Sequence, residues 1–254
     1  MPEPAAANAL VLDRPEVIVV DIEGTLSSTW YVRDELYPYS RKRFTSYFEE
    51  YSHKPEVARA RRQIIEMAGL DSSATAEDLT GVLEAWMDEG EMPAPLRTMH
   101  ALIWQEGFAA GEFVSPFFDD AIPALRTWSE QSIPVFIFSN GTLPAQRAWF
   151  SHSPEGNLIP LIKGHFSLES AGSKHEVSSF RNITHDVAEA LGKPREKFLF
   201  FSDQVEALDA ARQAGWDTVG VRRPGDQFYD AGVGDHPEIQ RLNQVRFIRR
   251  YASR

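Results

Sequence analysis

Asp21, Glu23, Ser139, Lys174 and Asp203 are the residues of this sequence whose types and spacing could do chemistry together. An acid, a hydroxyl, a lysine and a second acid, in that order, are what a phosphate-transfer site with a divalent cation requires. Carboxylate oxygens suit a hard cation, and a lysine ammonium neutralises phosphate charge. Glu23, two positions after Asp21, can be aimed at the same substrate as a strand opens into a loop.

Each candidate follows an element that would hold it. Asp21 ends the apolar run Val17-Ile18-Val19-Val20, whose β-branched side chains suit a strand covered on both faces. Open α/β sheets bind ligands at the carboxyl ends of their strands, and Gly24 lets the backbone bend close to a substrate there. Val135-Phe136-Ile137-Phe138 delivers Ser139-Asn140-Gly141-Thr142. The Ser139 hydroxyl could donate to a phosphoryl oxygen, with the amides of Asn140 and Gly141 forming a small anion nest. Plain Ser-Asn-Gly turns after a strand are also common. Phe198-Leu199-Phe200-Phe201 delivers Ser202-Asp203 ahead of a helical stretch from Val205 to Ala214. Lys174 precedes an amphipathic stretch from His175 to Leu191, whereas Lys163 enters an ordinary loop-to-strand step.

From Val17 to about Gly225 this constellation resembles the haloacid dehalogenase superfamily of phosphohydrolases. Within it the chain is similar to the enolase-phosphatases of methionine salvage. That narrower likeness rests on Asp21-Ile22-Glu23-Gly24-Thr25, with Glu where most of the superfamily has Asp, and on Tyr37-Pro38-Tyr39 and Ile103-Trp104-Gln105-Glu106-Gly107. Ala145-Gln146, Phe150-Ser151-His152-Ser153 and Arg223-Pro224-Gly225 complete it.

The resemblance implies a nucleophilic Asp21 that forms an aspartyl-phosphate, splitting a difficult hydrolysis into two displacements. Glu23 would protonate the leaving oxygen and later deprotonate water, or else lend only its backbone carbonyl to the metal. Lys174 matches the third motif of the family. One Mg2+ would be held by Asp21, residue 23 and Asp203. Ala207 stands where an acid four residues after Asp203 is expected, so Glu206 and Asp209 are the candidates to brace the metal site from behind. The implied reaction enolises 2,3-diketo-5-methylthiopentyl 1-phosphate and hydrolyses it to the acireductone 1,2-dihydroxy-3-keto-5-methylthiopentene. Trp30 and Asn140 stand where smaller residues are expected, which leaves open a related phosphatase acting on another small phosphorylated metabolite. A non-catalytic binding member of the family is the third reading, against which the intact set of five residues argues.

The expected architecture is α/β, a Rossmann-like three-layer core with a parallel sheet and an inserted α-helical cap. Strands and helices alternate from Pro123 to about Val221, which implies right-handed βαβ units. Apolar residues at helical spacing over Asp34–Tyr51, Pro55–Ala68, Ala76–Asp88 and Pro95–Ala110 assign residues 26–125 to the cap, leaving 1–25 and 126–254 for the core. Thr75 with Asp78 reads as a capping box. Trp30 and Glu106 are the cap's candidates for substrate contact. Trp104, Tyr37, Tyr39 and Phe44 read as packing residues, and His152 and His175 as structural or surface histidines. Residues 1–15 read as a loose lead-in, and a short helix is expected from Pro237.

Composition agrees. The chain has 254 residues, 43% hydrophobic and 25% charged, enough for a core domain and a smaller one. A net charge of −11 argues against nucleic acid or an anionic membrane as partner. No cysteine is present, which excludes disulfides and thiolate metal sites, and no apolar run approaches the roughly 20 residues that span a bilayer. Met1-Pro2-Glu3-Pro4 lacks a basic leader. A cytoplasmic protein is expected, and the resemblance suggests a monomer.

Overall fold

The computed structural model describes residues 9–248. Its centre is a six-stranded sheet built from β2 (Val17–Val20), β3 (Val135–Phe138), β4 (Gly164–Phe166), β5 (Phe198–Ser202), β6 (Asp217–Val221) and β7 (Glu238–Ile239), after a short β1 (Leu10–Asp13). The order is β4-β3-β2-β5-β6-β7 and every neighbouring pair is parallel. β2 sits between β3 and β5, with Val20 opposite Ile137 on one side and Phe201 on the other.

Alternation along the strands explains the layers. Val17 and Val19 of β2, with Phe198 and Phe200 of β5, pack with Phe180, Ile183 and Val187 of the Val177–Ala190 helix and Leu208 of the Val205–Gln213 helix. Phe201 points the other way, because successive strand residues face opposite sides, and stacks on Trp128 of the Ala121–Glu130 helix at 5.3 Å between ring centroids. The sheet is thus covered on both faces, as its unbroken apolar strands require. The α/β three-layer expectation is met.

The described structure divides into two compact units. The sheet unit takes the chain up to Thr29, Pro116–Asn140 and everything from Ser153, and the helical unit takes Trp30–Ser115 and Gly141–His152. These bounds differ from the sequence expectation at both connectors. Residues 26–29 and 116–125 stay with the sheet, where Phe118 N donates to the Leu26 carbonyl at 2.9 Å. The Leu143–Ser151 helix joins the helical unit, because the Trp149 carbonyl accepts from Ser115 Oγ at 2.7 Å and the Trp149 ring meets Phe108 and Tyr31 edge-on.

The helical unit has its own core, in which Phe44, Phe48, Val57, Ile64, Leu79, Leu83, Leu96, Met99 and Ile103 pack together. Its helices run Phe44–Glu50, Pro55–Ala68, Ala76–Asp88 and Ala94–Ala109, and Thr75 and Asp78 form the expected capping box. The helix expected over Asp34–Tyr51 is interrupted. Val32–Leu36 forms a π turn, with Tyr37 N–H bonded to the Val32 carbonyl, before Tyr37–Arg41 continues as α. Pro38 has no N–H to extend an α ladder backwards, and the wider turn accommodates that loss.

Two further expectations are corrected. Part of the supposed lead-in, Leu10–Asp13, is a strand, parallel to β8 (Val245–Ile248); residues 1–8 lie outside the described residues. The helix expected from Pro237 is instead β7, a 3-10 turn at Leu242–Gln244 and β8. The parallel backbone partners Gly220 and Val221 on β6 hold Glu238 and Ile239 extended. No helix among the described residues is long and apolar enough to cross a membrane.

Candidate active site

Register brings the first two acids together. Val20 pairs with Phe201 across β2 and β5, so the residue after Val20 and the residue after Phe201 emerge side by side. They are Asp21 and Ser202, and Ser202 Oγ donates to Asp21 Oδ2 at 3.0 Å. The next residue, Asp203, is nearly buried at 5% exposure, and Asp21 has no exposure at all. Lys174 arrives from the loop before the Val177–Ala190 helix and donates to Asp21 Oδ2 at 2.5 Å. Asp21 Oδ1 accepts from the Ile22 amide at 2.8 Å, so the carboxylate is held at both oxygens.

Gly24 is required where it stands. Its φ is +68°, and a Cβ there would lie 1.8 Å from Asp203 Oδ2. No side chain fits at that approach, and only glycine takes that backbone angle without strain. The loop closes on itself through Gly24 N to the Ser27 carbonyl at 2.8 Å.

The electrostatics are those of crowded acids. Burial pushes the Asp203 carboxyl well above the usual carboxylate range, and the charge of Asp21 adds to this while Lys174 opposes it. Glu23 is also raised, first by burial, with Lys174 opposing and with Asp21 and Asp226 adding to the rise. Asp203 Oδ1 is buried without a hydrogen-bond partner. A buried acceptor left unmatched is costly, and this one belongs to an all-oxygen donor set beside a second carboxylate. That is the environment a hard divalent cation satisfies. Among the described residues no three His, Cys, Asp or Glu side chains are grouped to hold an ion unaided. Magnesium does not need them, since it commonly takes one or two carboxylates and fills its octahedron with water and substrate phosphate.

The remaining candidates are spread more widely. Ser139 is buried at the end of β3, its amide donating to the Phe166 carbonyl at 3.2 Å, and Asn140 is exposed beside it. Gly141 belongs to the helical unit and its carbonyl accepts from Gln146 Nε2 at 2.8 Å. In that unit the Trp30 ring lies under the Arg33 guanidinium at 4.1 Å. Glu106 accepts from Lys54 Nζ at 2.6 Å and Tyr47 Oη at 3.0 Å, so its carboxylate is committed within the unit. His152 stacks on Phe108 and its Nδ1 meets the Ala148 carbonyl, as a structural histidine does.

The two acids suggested as braces for the metal site make their contacts elsewhere. Glu206 is exposed on the Val205–Gln213 helix, and Asp209 meets Arg212 at 2.5 Å and His236 Nε2 at 3.2 Å. The helix buries Ala207, Leu208, Ala210 and Ala211 against the sheet, which leaves positions 206 and 209 off its buried face. Besides Asp21, the acid that acts electrostatically on both Glu23 and Asp203 is Asp226, on the loop after β6. The sequence pointed to Asp226 only through its neighbours Arg223-Pro224-Gly225.

Carboxylates at adjacent ends of parallel strands, with a buried lysine on the first, mark a phosphoryl-transfer site on a Rossmann-like sheet. Residues 15–215 match the haloacid dehalogenase-like hydrolases. The enolase-phosphatase E1 of Streptomyces avermitilis is 47% identical over 232 residues, covering 91% of this chain and 95% of that protein. The enolase-phosphatase E1 of Saccharopolyspora erythraea is 41% identical, covering 90% and 94%. In fold, the crystal structure of the UTR4 protein of Saccharomyces cerevisiae superposes with a TM-score of 0.72 at 24% identity, covering 90% of this chain and 98% of that one. The chain belongs to the haloacid dehalogenase-like hydrolases and, within them, to the enolase-phosphatase E1 family, as its motifs implied.

Proposed function

We propose that this protein is a magnesium-dependent enolase-phosphatase that converts a 2,3-diketo-5-methylthiopentyl 1-phosphate to the acireductone and inorganic phosphate. The observation that carries the reading is the buried Asp21, fixed by Lys174 and Ser202, beside the unmatched Oδ1 of Asp203. A magnesium ion held by Asp21, Asp203 and the backbone carbonyl of residue 23 would supply positive charge to the substrate oxygens.

The chain's own residues do the rest. Lys174 balances phosphate charge and keeps Asp21 aimed, so the nucleophile needs no reorganisation as the reaction begins. Asp21 attacks phosphorus, the ester P–O bond breaks, and Glu23 gives its proton to the departing oxygen. Glu23 then takes a proton from water, the water oxygen attacks the phosphorus of the aspartyl-phosphate, and free phosphate leaves Asp21 as a carboxylate again. Ser139, with the amides of Asn140 and Gly141, binds phosphoryl oxygens. Asp21 is wholly buried, which limits the access of bulk water to it.

In this reading the diketone phosphate is enolised first and the enol phosphate is then cleaved. The working enzyme is a cytoplasmic monomer with one Mg2+ per chain. Phosphate release from the diketone phosphate, measured with Mg2+ and with EDTA, tests the reading. Release in Mg2+, none in EDTA and none from Asp21→Asn is expected. Equal release with and without the metal would overturn it.

A further inference from the structure

Arg223-Pro224-Gly225 marks the family, yet the reaction as derived above uses none of it. Arg223 is 4% exposed, on the loop after β6. Its Nε and Nη2 both donate to the Thr25 carbonyl, at 3.0 and 2.7 Å. Its Nη1 meets both oxygens of Asp120, at 2.8 and 3.0 Å, and the Gln240 carbonyl at 2.9 Å. Its guanidinium lies over the Phe118 ring, 4.3 Å from the centroid. Three residues on, Asp226 accepts from the Thr29 amide with both oxygens, at 3.3 and 3.1 Å, and from the Gln227 amide at 2.8 Å.

These contacts have a common target. Thr25 and Thr29 bracket the segment that follows Glu23 and Gly24, and Thr29 is the last residue of the sheet unit before the chain enters the helical one. Phe118 and Asp120 lie on the strand of chain that returns. Arg223 therefore ties both connectors at their sheet-unit ends, and Asp226 fixes the far end of the Glu23 loop. The bonding is heavier than stability alone asks for, because replacing a buried ion pair with apolar side chains often costs a fold nothing. A guanidinium fork that doubles on one carbonyl fixes position and direction together, which a lysine cannot do.

We propose that Arg223 and Asp226 are positioning residues for the reaction. By holding the Thr25 carbonyl and the Thr29 amide, they set the 23–29 loop so that Glu23 and Gly24 keep their register against Asp21 and Asp203. They touch neither phosphate nor metal. Misplacement of a catalytic group by an ångström costs about a hundredfold in rate. Over 24–28 the loop has no regular strand or helix, so its own turn bonds and the Phe118–Leu26 bond share the holding with this clamp.

This inference rests on the catalytic reading of Asp21 and Glu23, so its test carries one readout that needs no turnover. Asp226→Ala, Arg223→Lys and the control Glu238→Gln, an exposed partner of Arg222, are compared with wild type by steady-state phosphate release and by amide hydrogen exchange. Asp226→Ala should exchange faster at 23–29 while β2, β3 and β5 keep their protection. It should also lose about ten- to a hundredfold in kcat, with KM changed less. Arg223→Lys should do the same, and if it fails to fold, Asp226→Ala decides alone. Glu238→Gln should match wild type in both. Faster exchange at 23–29 in Asp226→Ala, with a wild-type protein that itself releases no phosphate, would support the clamp and overturn the catalytic reading. Unchanged exchange and unchanged kcat in Asp226→Ala would overturn the clamp.

Discussion

Lys174 Nζ lies 2.5 Å from Asp21 Oδ2, with the lysine side chain 3% exposed and the aspartate wholly buried. The pair joins residues 153 positions apart in sequence. Removing one partner of such a buried pair strands the other charge, which commonly costs about 3–5 kcal/mol.

Lys174→Ala should therefore lower both activity, by about a hundredfold or more, and thermal stability. Lys163 is exposed where the chain enters β4, and Lys163→Ala should change neither. Phosphate release and thermal unfolding of the two variants check this, and a reversed pattern would mean the wrong lysine has been assigned.

Asp21→Asn keeps the shape of the side chain and loses its nucleophilic charge. The folded protein should persist, with turnover abolished. Phosphate release near the wild-type rate would exclude covalent catalysis at Asp21.

Glu206→Gln tests the exposed helix position. A solvated side chain off the buried face of its helix should leave the magnesium activation curve unchanged, whereas Asp203→Asn should shift it strongly or abolish it. Weakened magnesium activation in Glu206→Gln would restore that residue as a brace for the metal site.

His100 should make the helical unit sensitive to acid. It is 2% exposed, stacked on Trp104 and packed beside Tyr37 and Phe44, with neither ring nitrogen hydrogen-bonded. Burial lowers its pKa from 6.5 to about 3. The folded protein thus holds His100 neutral while the unfolded chain protonates near 6.5. Its contribution is fully present above that pH, and it is lost as pH falls from 6.5 towards 3. Each pH unit in that window removes roughly 1.4 kcal/mol. Denaturant unfolding at pH 7.5 and 5 should show a smaller loss for His100→Leu than for wild type. Equal losses would contradict it.

The parts of the site that were legible in the sequence are those at strand ends. An unbroken apolar run belongs inside a parallel sheet, so the places of Asp21, Ser139 and Asp203 after β2, β3 and β5 could be read directly. Asp226 could not, because the loop after β6 has no periodicity and its partner, the Thr29 amide, is 197 residues away. The placing of Glu206 and Asp209 depends on a helix phase that only packing reveals, since Ala207 and Ala211 turn to the sheet. The Leu143–Ser151 helix misled for a related reason, as its amphipathic pattern is the same whichever unit Trp149 packs against. The terminal strands β1 and β8 are four residues each and stabilise one another, which is too short a pattern to stand out.

The most direct test of the proposed function follows two signals from one reaction. With the methylthio diketone phosphate and Mg2+, ultraviolet absorbance reports the conjugated enol while a coupled assay reports phosphate. Enol absorbance that rises ahead of, or together with, phosphate release is the expected result, with phosphate release absent in Asp21→Asn. Phosphate release from simple esters, with no enol formed from the diketone, would contradict the account and make this chain a phosphatase for another small phosphorylated metabolite.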